Sequence, residues 1–255
     1  MKDIWAPAGS QIILRHGGQE IACDLYTSEG RDLVAALWLK LAAQFRHMYE
    51  PRWLGLQIIQ LPEDIVAVQE VIWRTRPSLV IETGVAHGGS LMLSASILEL
   101  IGEGSVIGID VDIRKHNRDA IDSHRLRERI HLIEGSSVEP AVVAEVAGRS
   151  KQARRVLVIL DSNHSAAHVA AELEAYAPLV TPGSYIVAMD GAQALVGDIP
   201  AGKTAWRDDH PLIAIDAFLA RHREFAVDSG LERFGVTSSP RGYLRRLDRP
   251  SEAPQ

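Results

Sequence analysis

The chain holds a single cysteine, Cys23, so no internal disulfide framework can staple it. It has no uninterrupted apolar run near the roughly 18 residues of a membrane span, and no membrane contact is expected. Between Met1 and Ile12 there is no basic start followed by an apolar run of signal-peptide type, which makes a cytoplasmic location the expectation. Positive charge is also in short supply. With 27 Lys and Arg against 33 Asp and Glu the formal charge is −6, which gives no sign of a phosphate-tracking surface, and nucleic acid is not expected as a partner. Arg114, Lys115 and Arg118, and later Arg125, Arg127 and Arg129, are interleaved with acids and read as solvated helix faces. There is no internal repeat. Low complexity is confined to 249–255, a tail expected to fray.

What the chain does have is enough apolar material for a large core, 46% of 255 residues. Residues 1–75 read as an N-terminal helical extension or cap. Helical spacing runs through "LVAALWLKLAAQF" and through "LPEDIVAVQEVIWRT", where Leu61, Ile65, Val68, Val71 and Ile72 recur every three to four residues and Pro62 marks a first turn. "YEPRWLGLQIIQ" between them reads as a long apolar loop. Residues 76–248 read as one globular unit that repeats a grammar of short β-rich run, acid or glycine, then helix: "LVIET", "VIGID", "IHLIEG", "VLVILD", "YIVAMD". These runs are apolar almost throughout, as parallel strands covered by helices on both faces are. The expected class is therefore α/β, a mostly parallel, doubly wound sheet. "RFGVTS" and "YLRRL", joined at "SPRG" after the helical "HPLIAIDAFLARH", read as a C-terminal hairpin closing its edge.

In such a sheet, ligands bind outside the carboxyl ends of the strands. "LVIETGVAHGGSLM" puts Gly84, Gly88 and Gly89 there, where a missing Cβ allows close approach to a ligand, the alternative being tight packing of strand against helix with no ligand. The spacing is not the three-glycine G-x-G-x-x-G of dinucleotide binders. An acid at Glu82, Gly84, and then a three-residue gap to Gly88 match the first motif of S-adenosylmethionine-dependent methyltransferases better. Asp110, 22 residues past Gly88 at the end of the next strand, is placed to accept both hydroxyls of a ribose. Gly135 and Ser136 in "EGSS" lie where such folds meet the adenine, or form a plain turn.

Four stretches, "WLGLQIIQLPEDIVAVQEVIW", "LVIETGVAHGGSLM", "ILDSNHSAAHVAAELEAYAPLVTPGSYIVAMD" and "SPRGYLRR", resemble the cephalosporin hydroxylase-like group that includes rhamnosyl and macrolide-sugar O-methyltransferases. The resemblance runs from about Tyr49 to Arg246. It implies a Rossmann-like S-adenosylmethionine-dependent methyltransferase fold, S-adenosylmethionine as cofactor contacted by Glu82, Gly84, Asp110 and Ser136, and commonly Mg²⁺. No iron-binding facial triad is recognisable among the histidines.

Asp161 ends "VLVILD" and Asp190 ends "YIVAMD". Adjacent strands would bring both to one rim, a setting for a hard cation such as Mg²⁺, unless each merely caps the helix that follows. The chain departs from its relatives here, with Met189 where they carry an acid and Gly191 where related metal-dependent enzymes carry an amide. His164, three residues past Asp161, falls near the lysine base of catechol O-methyltransferases, which this segment resembles. An imidazole there suits proton removal from a hydroxyl, or else only hydrogen-bonds locally. His87 in the glycine turn is a second candidate base, and His168, one turn on, is read as support for His164. Trp53, Leu54 and Trp206 in "AGKTAWRDDHP" are candidate acceptor walls or oligomer contacts.

The expectation is thus an O-methyltransferase acting on a hydroxyl of a sugar or of a glycosylated or polyketide natural product. Its partner would be a small-molecule acceptor, and the enzyme is expected to be a homo-oligomer. A nicotinamide oxidoreductase is disfavoured by the glycine spacing. A non-catalytic member that binds S-adenosylmethionine within a biosynthetic assembly is the rival, since Met189 and Gly191 are changes that would accompany loss of turnover.

Overall fold

The computed structural model describes residues 10–16 and 18–248; the tail expected to fray, 249–255, lies outside the described residues. The first segment is not helical throughout. Strands β1 (Gln11–His16) and β2 (Gln19–Asp24) pair antiparallel, with Gly18 at φ +79° beside the turn, the conformation tight hairpins require. Helix α1 (Ser28–Gln44) follows, capped by the Thr27 hydroxyl. The expected loop then folds partly into a second, minimal hairpin, β3 (Arg52–Trp53) with β4 (Leu56–Gln57). Helix α2 (Pro62–Thr75) starts at Pro62. Its apolar side, with Ile65, Val68, Val71 and Ile72, belongs to the same buried cluster as Leu91 and Met92, so the core runs across residue 75.

The remaining elements are β5 (Leu79–Thr83), α3 (Gly89–Ile101), β6 (Ser105–Asp110), α4 (Lys115–Asp122), β7 (Ile130–Glu134), α5 (Pro140–Ser150), β8 (Val156–Leu160), α6 (Ala166–Tyr176), β9 (Tyr185–Ala188), α7 (Gln193–Val196), α8 (Pro211–Arg221), β10 (Phe225–Val227) and β11 (Tyr243–Arg246). Seven strands form one sheet in the order β10-β11-β9-β8-β5-β6-β7. The five expected runs are its parallel strands; β5 sits at the centre, with β6 on one side and β8 on the other. Every residue of β5, β8 and β9 is buried. Two apolar clusters explain why: α2 and α3 cover one face, while Val146 of α5, Leu173 of α6 and Phe218 of α8 cover the other.

The strand order reverses around β5. Side chains at the ends of β5, β6, β8 and β9 therefore converge on one crevice, the place where open α/β sheets bind ligands.

The C-terminal hairpin differs in its first strand. β10 is "FAV" at 225–227, pairing with β11, which itself pairs antiparallel with β9. "RFGVTS" is irregular, because its polar end is used elsewhere: Thr237 and Ser238 hydrogen-bond the buried carboxylate of Asp64.

Candidate functional site

The glycine turn after β5 is bare because other backbone crosses it. A Cβ on Gly84 would lie 1.9 Å from the Asp161 carbonyl oxygen, and one on Gly89 would lie 2.2 Å from that of Gln57. Gly84 and Gly88 have φ of +90° and +83°. Packing thus accounts for two of the three glycines before any ligand is invoked. The turn is also tied from outside. Asp110, at the end of β6, accepts hydrogen bonds from the Val85 and Ala86 amides at 2.8 and 3.3 Å. Asn117 of α4 donates to the Ala86 carbonyl at 2.7 Å and its amide oxygen lies 3.3 Å from His87 Nδ1.

Three cavities with shared walls make the crevice. One of about 260 Å³ is bounded by Gly84, Asp110, Gly135, Ser137 and His168. A central one of about 200 Å³ is bounded by His87, Ser90, Asp161, His164 and Asp190. The outermost, about 710 Å³, lies among Arg46, Tyr49, Val196, Lys203 and Trp206. Asp161 and Ser162 belong to both of the first two; His164 and Asp190 belong to both of the last two. A ligand of adenosine type in the first cavity and a larger acceptor in the third would meet at these four residues.

At that meeting point Asp161, His164 and Asp190 offer ligand atoms all within 4.8 Å of one another. His164 Nε2 is 3.2 Å from Asp190 Oδ2. Burial pushes the Asp161 carboxyl well above the ordinary carboxylate range, and the charges of Asp190, Glu82 and Glu172 push it further; the Gln60 amide, hydrogen-bonded to it, opposes them. Asp190 holds φ +60°, a conformation that a non-glycine residue keeps only when its surroundings impose it. The Ala192 amide donates to the Ser238 carbonyl at 2.9 Å and the Gln193 amide to Asp190's own carbonyl at 3.1 Å, which closes that turn.

Two carboxylates pressed together in a recess lined by no Lys or Arg among the described residues form a donor set that suits a divalent cation. The arrangement fits Mg²⁺ held by Asp161 and Asp190. Met189 takes no part. It is 2% exposed within the core cluster, its sulfur accepts from the Ser239 hydroxyl at 3.5 Å, and successive residues at a strand end face opposite ways.

The other expected site residues divide. His87 borders the central cavity as expected. Ser136 does not line the first cavity; its neighbours Gly135 and Ser137 do. His168 does not support His164: its Nε2 lies 3.2 Å from both the Ser137 and the Ser162 hydroxyls. Trp53 turns inward, donating to the Ser96 hydroxyl at 3.0 Å, and packs against the core, while Leu54 is exposed. Trp206 does line the outer cavity, with the Lys203 ammonium 5.7 Å from its ring centre. Gln60, which lines the central cavity, and Ser137, which lines the first, are positions that the sequence reading misses. Gln60 sits in an apolar stretch where an amide is out of place, which is the one local signal it offers.

Glu82 is fully buried and lines none of the three cavities. Ser90 donates to one of its oxygens and the other has no partner among the described residues. Burial pushes its carboxyl up to about 7, against about 4.3 in an unfolded chain. Between those values the folded chain keeps a proton that the unfolded chain has released. Stability from this group is therefore complete below about pH 4 and is lost as pH rises towards 7, by about 4 kcal/mol. Glu82→Gln, which keeps an acceptor for Ser90, is expected to match the wild type in thermal melting at pH 4 and to exceed it at pH 8. Equal melting shifts at both pH values would show that Glu82 ionises freely.

Parallel sheet, reversal at β5 and polar crevice together define a Rossmann-like S-adenosylmethionine-dependent methyltransferase fold. The solved structure of CmcI with magnesium and S-adenosylmethionine superposes with a TM-score of 0.57 over 78% of this chain and 77% of that one, at 21% identity. Residues 45–247 match the family described as Rhamnosyl O-methyltransferase/CmcI, and the chain belongs to that family. The rhamnosyl O-methyltransferase of Mycobacterium tuberculosis is 31% identical over 203 residues, 76% of this chain and 77% of that protein. That of Mycobacterium leprae is 29% identical over 204 residues, covering 76% and 82%. No helix among the described residues is long and apolar enough to cross a membrane.

Proposed function

We propose that the protein transfers the methyl group of S-adenosylmethionine to a hydroxyl of a sugar, free or attached to a larger natural product. The observation that carries this is the Asp161, His164 and Asp190 cluster at the junction of a nucleoside-sized cavity and a larger outer one.

Asp110, at the mouth of the first cavity, keeps lone pairs for ribose hydroxyls beyond those that hold the glycine turn. The outer cavity receives the acceptor, with Trp206 offering an apolar face to a sugar ring. His164 takes the hydroxyl proton as the oxygen attacks the methyl carbon; the bond from that carbon to the sulfonium sulfur breaks, its electron pair stays on sulfur and S-adenosylhomocysteine leaves, while the Asp190 carboxylate offsets the positive charge the ring gains. Asp161 and Asp190 would hold Mg²⁺, which supplies Lewis-acid polarisation of that hydroxyl when bound. Alignment does the rest, since the attacking oxygen must be held about 3 to 3.5 Å from the methyl carbon.

The test is a mass-shift screen of rhamnosylated and other glycosylated acceptors with S-adenosylmethionine, run with EDTA and again after restoring Mg²⁺. A gain of one methyl that EDTA suppresses and Mg²⁺ restores is the expected result. Unchanged turnover in EDTA would remove the metal, and binding of S-adenosylhomocysteine without turnover on any glycoside would remove the activity.

A further inference from the structure

The cavity that contains Asp110 has a buried polar wall that proton transfer at His164 leaves unused. At its base is Glu172 of α6, 0% exposed. One of its oxygens, Oε1, accepts from the Ser137 hydroxyl at 2.6 Å and from the Ser162 hydroxyl at 2.7 Å. Tyr176, one turn further along α6, donates to the Ser137 carbonyl at 2.7 Å and holds that serine in place. His168, one turn before Glu172, brings Nε2 to 3.2 Å from both serine oxygens and to 3.4 Å from Glu172 Oε1 itself, so that every group facing Nε2 accepts.

A serine hydroxyl has one hydrogen and two lone pairs. Both hydrogens are committed to Glu172, so towards His168 the serines can only accept. Nε2 must then carry the ring proton, and in the neutral ring Nδ1 is an acceptor. The side chain of His168 is 21% exposed and borders the cavity with Gly135 and Ser137. With its Nε2 edge engaged against buried groups, the edge left for a ligand is the one bearing Nδ1. The result is a wall with no free hydroxyl donor and one fixed acceptor.

We propose that His168 Nδ1 accepts a hydrogen from the 6-amino group of the cofactor's adenine, and that the Ser137, Ser162 and Glu172 network holds it in the tautomer that does so. This rests on the reading of that cavity as the nucleoside site of S-adenosylmethionine. Hypoxanthine carries a 6-oxo group in place of the amine, which would set acceptor against acceptor. A site built to hydrogen-bond a group rejects an analogue that lacks it, because its own partner is left unpaired.

The experiment is calorimetric titration of the purified chain with S-adenosylhomocysteine and with S-inosylhomocysteine. The wild type is expected to prefer the adenosyl compound by about 10²-fold, the scale of one well-placed hydrogen bond with the opposing acceptor added. His168→Phe, which keeps the ring bulk without the acceptor, is expected to reduce that preference to a few-fold, mainly through weaker binding of the adenosyl compound. His168→Asn, which restores an acceptor oxygen, is expected to recover part of it. A merely structural role would weaken both compounds alike and leave their ratio unchanged, which overturns the proposal, as does a wild type that binds both equally. If the wild type binds neither compound, the cofactor reading itself fails, and that result is distinct from a lost preference.

Discussion

His164→Ala is expected to lower the rate of methyl transfer by about 10²- to 10⁴-fold, the share that a positioned general base contributes, while leaving the affinity for S-adenosylhomocysteine unchanged. The two effects separate because His164 borders the central and outer cavities but not the one bounded by Asp110 and Ser137. On the proposed reading an acceptor hydroxyl would reach His164 and Asp190 from the outer cavity, whereas the nucleoside half of the cofactor would lie beyond Asp161. The deficit should shrink as pH rises, because a hydroxyl that ionises in water needs less help from the ring. Single-turnover rates from pH 6 to 9, measured beside the dissociation constant for S-adenosylhomocysteine, check both parts. A variant that loses cofactor affinity and rate together would place His164 in a structural role. A variant with full activity would transfer the question to His87, which borders the same central cavity and is steadied by Asn117.

What can be read from sequence is whatever is local. Continuous apolar runs such as "VLVIL" become strands buried on both faces, and an acid at the end of such a run lands at the crevice whatever the neighbouring strand turns out to be. Asp110, Asp161 and Asp190 are legible for that reason, and so is His164, one loop from its strand. Pairings made across the chain are not. Asp64 looks like an acid of a helix's first turn, favourable there because of the helix dipole. In the fold it is 1% exposed and accepts hydrogen bonds from Thr237, the Ser238 amide and hydroxyl, and Tyr243. Nothing near residue 64 announces partners more than 170 positions away. The same long-range demand turns "RFGVTS" from a strand into an irregular segment, and Ser238 in turn holds the Asp190 turn through Ala192.

Ser136 and Ser137 differ in a similar way. Adjacent residues of a turn face different directions, and only the partners on α6 decide which serine meets the cavity. His168 has the spacing of a helper for His164, but the hydroxyls that claim it come from the loops after β7 and β8.

Gly84→Ala is expected to cost on the order of 4 kcal/mol or more, in the range reached only when a core or a special backbone conformation is broken. Two penalties add. With φ at +90° any side chain is strained, by about 1 to 2 kcal/mol. The added Cβ would also stand 1.9 Å from the Asp161 carbonyl oxygen and 2.6 Å from its carbon, distances no flexible side chain can relieve because both atoms are backbone. Relief requires the end of β8 to move away from β5, where Thr83 is in register with Leu160 and its carbonyl accepts from the Asp161 amide at 2.9 Å. Gly102 separates the two penalties: it has φ +91°, and a Cβ there would meet nothing within 4 Å, so Gly102→Ala should carry the torsional strain alone, about 1 to 2 kcal/mol. Urea denaturation midpoints of the two variants and the wild type make the comparison. Equal losses in the two variants would mean that β5 and β8 part without resistance at Asp161, and the cluster of Asp161, His164 and Asp190 would then have no rigid floor beneath it.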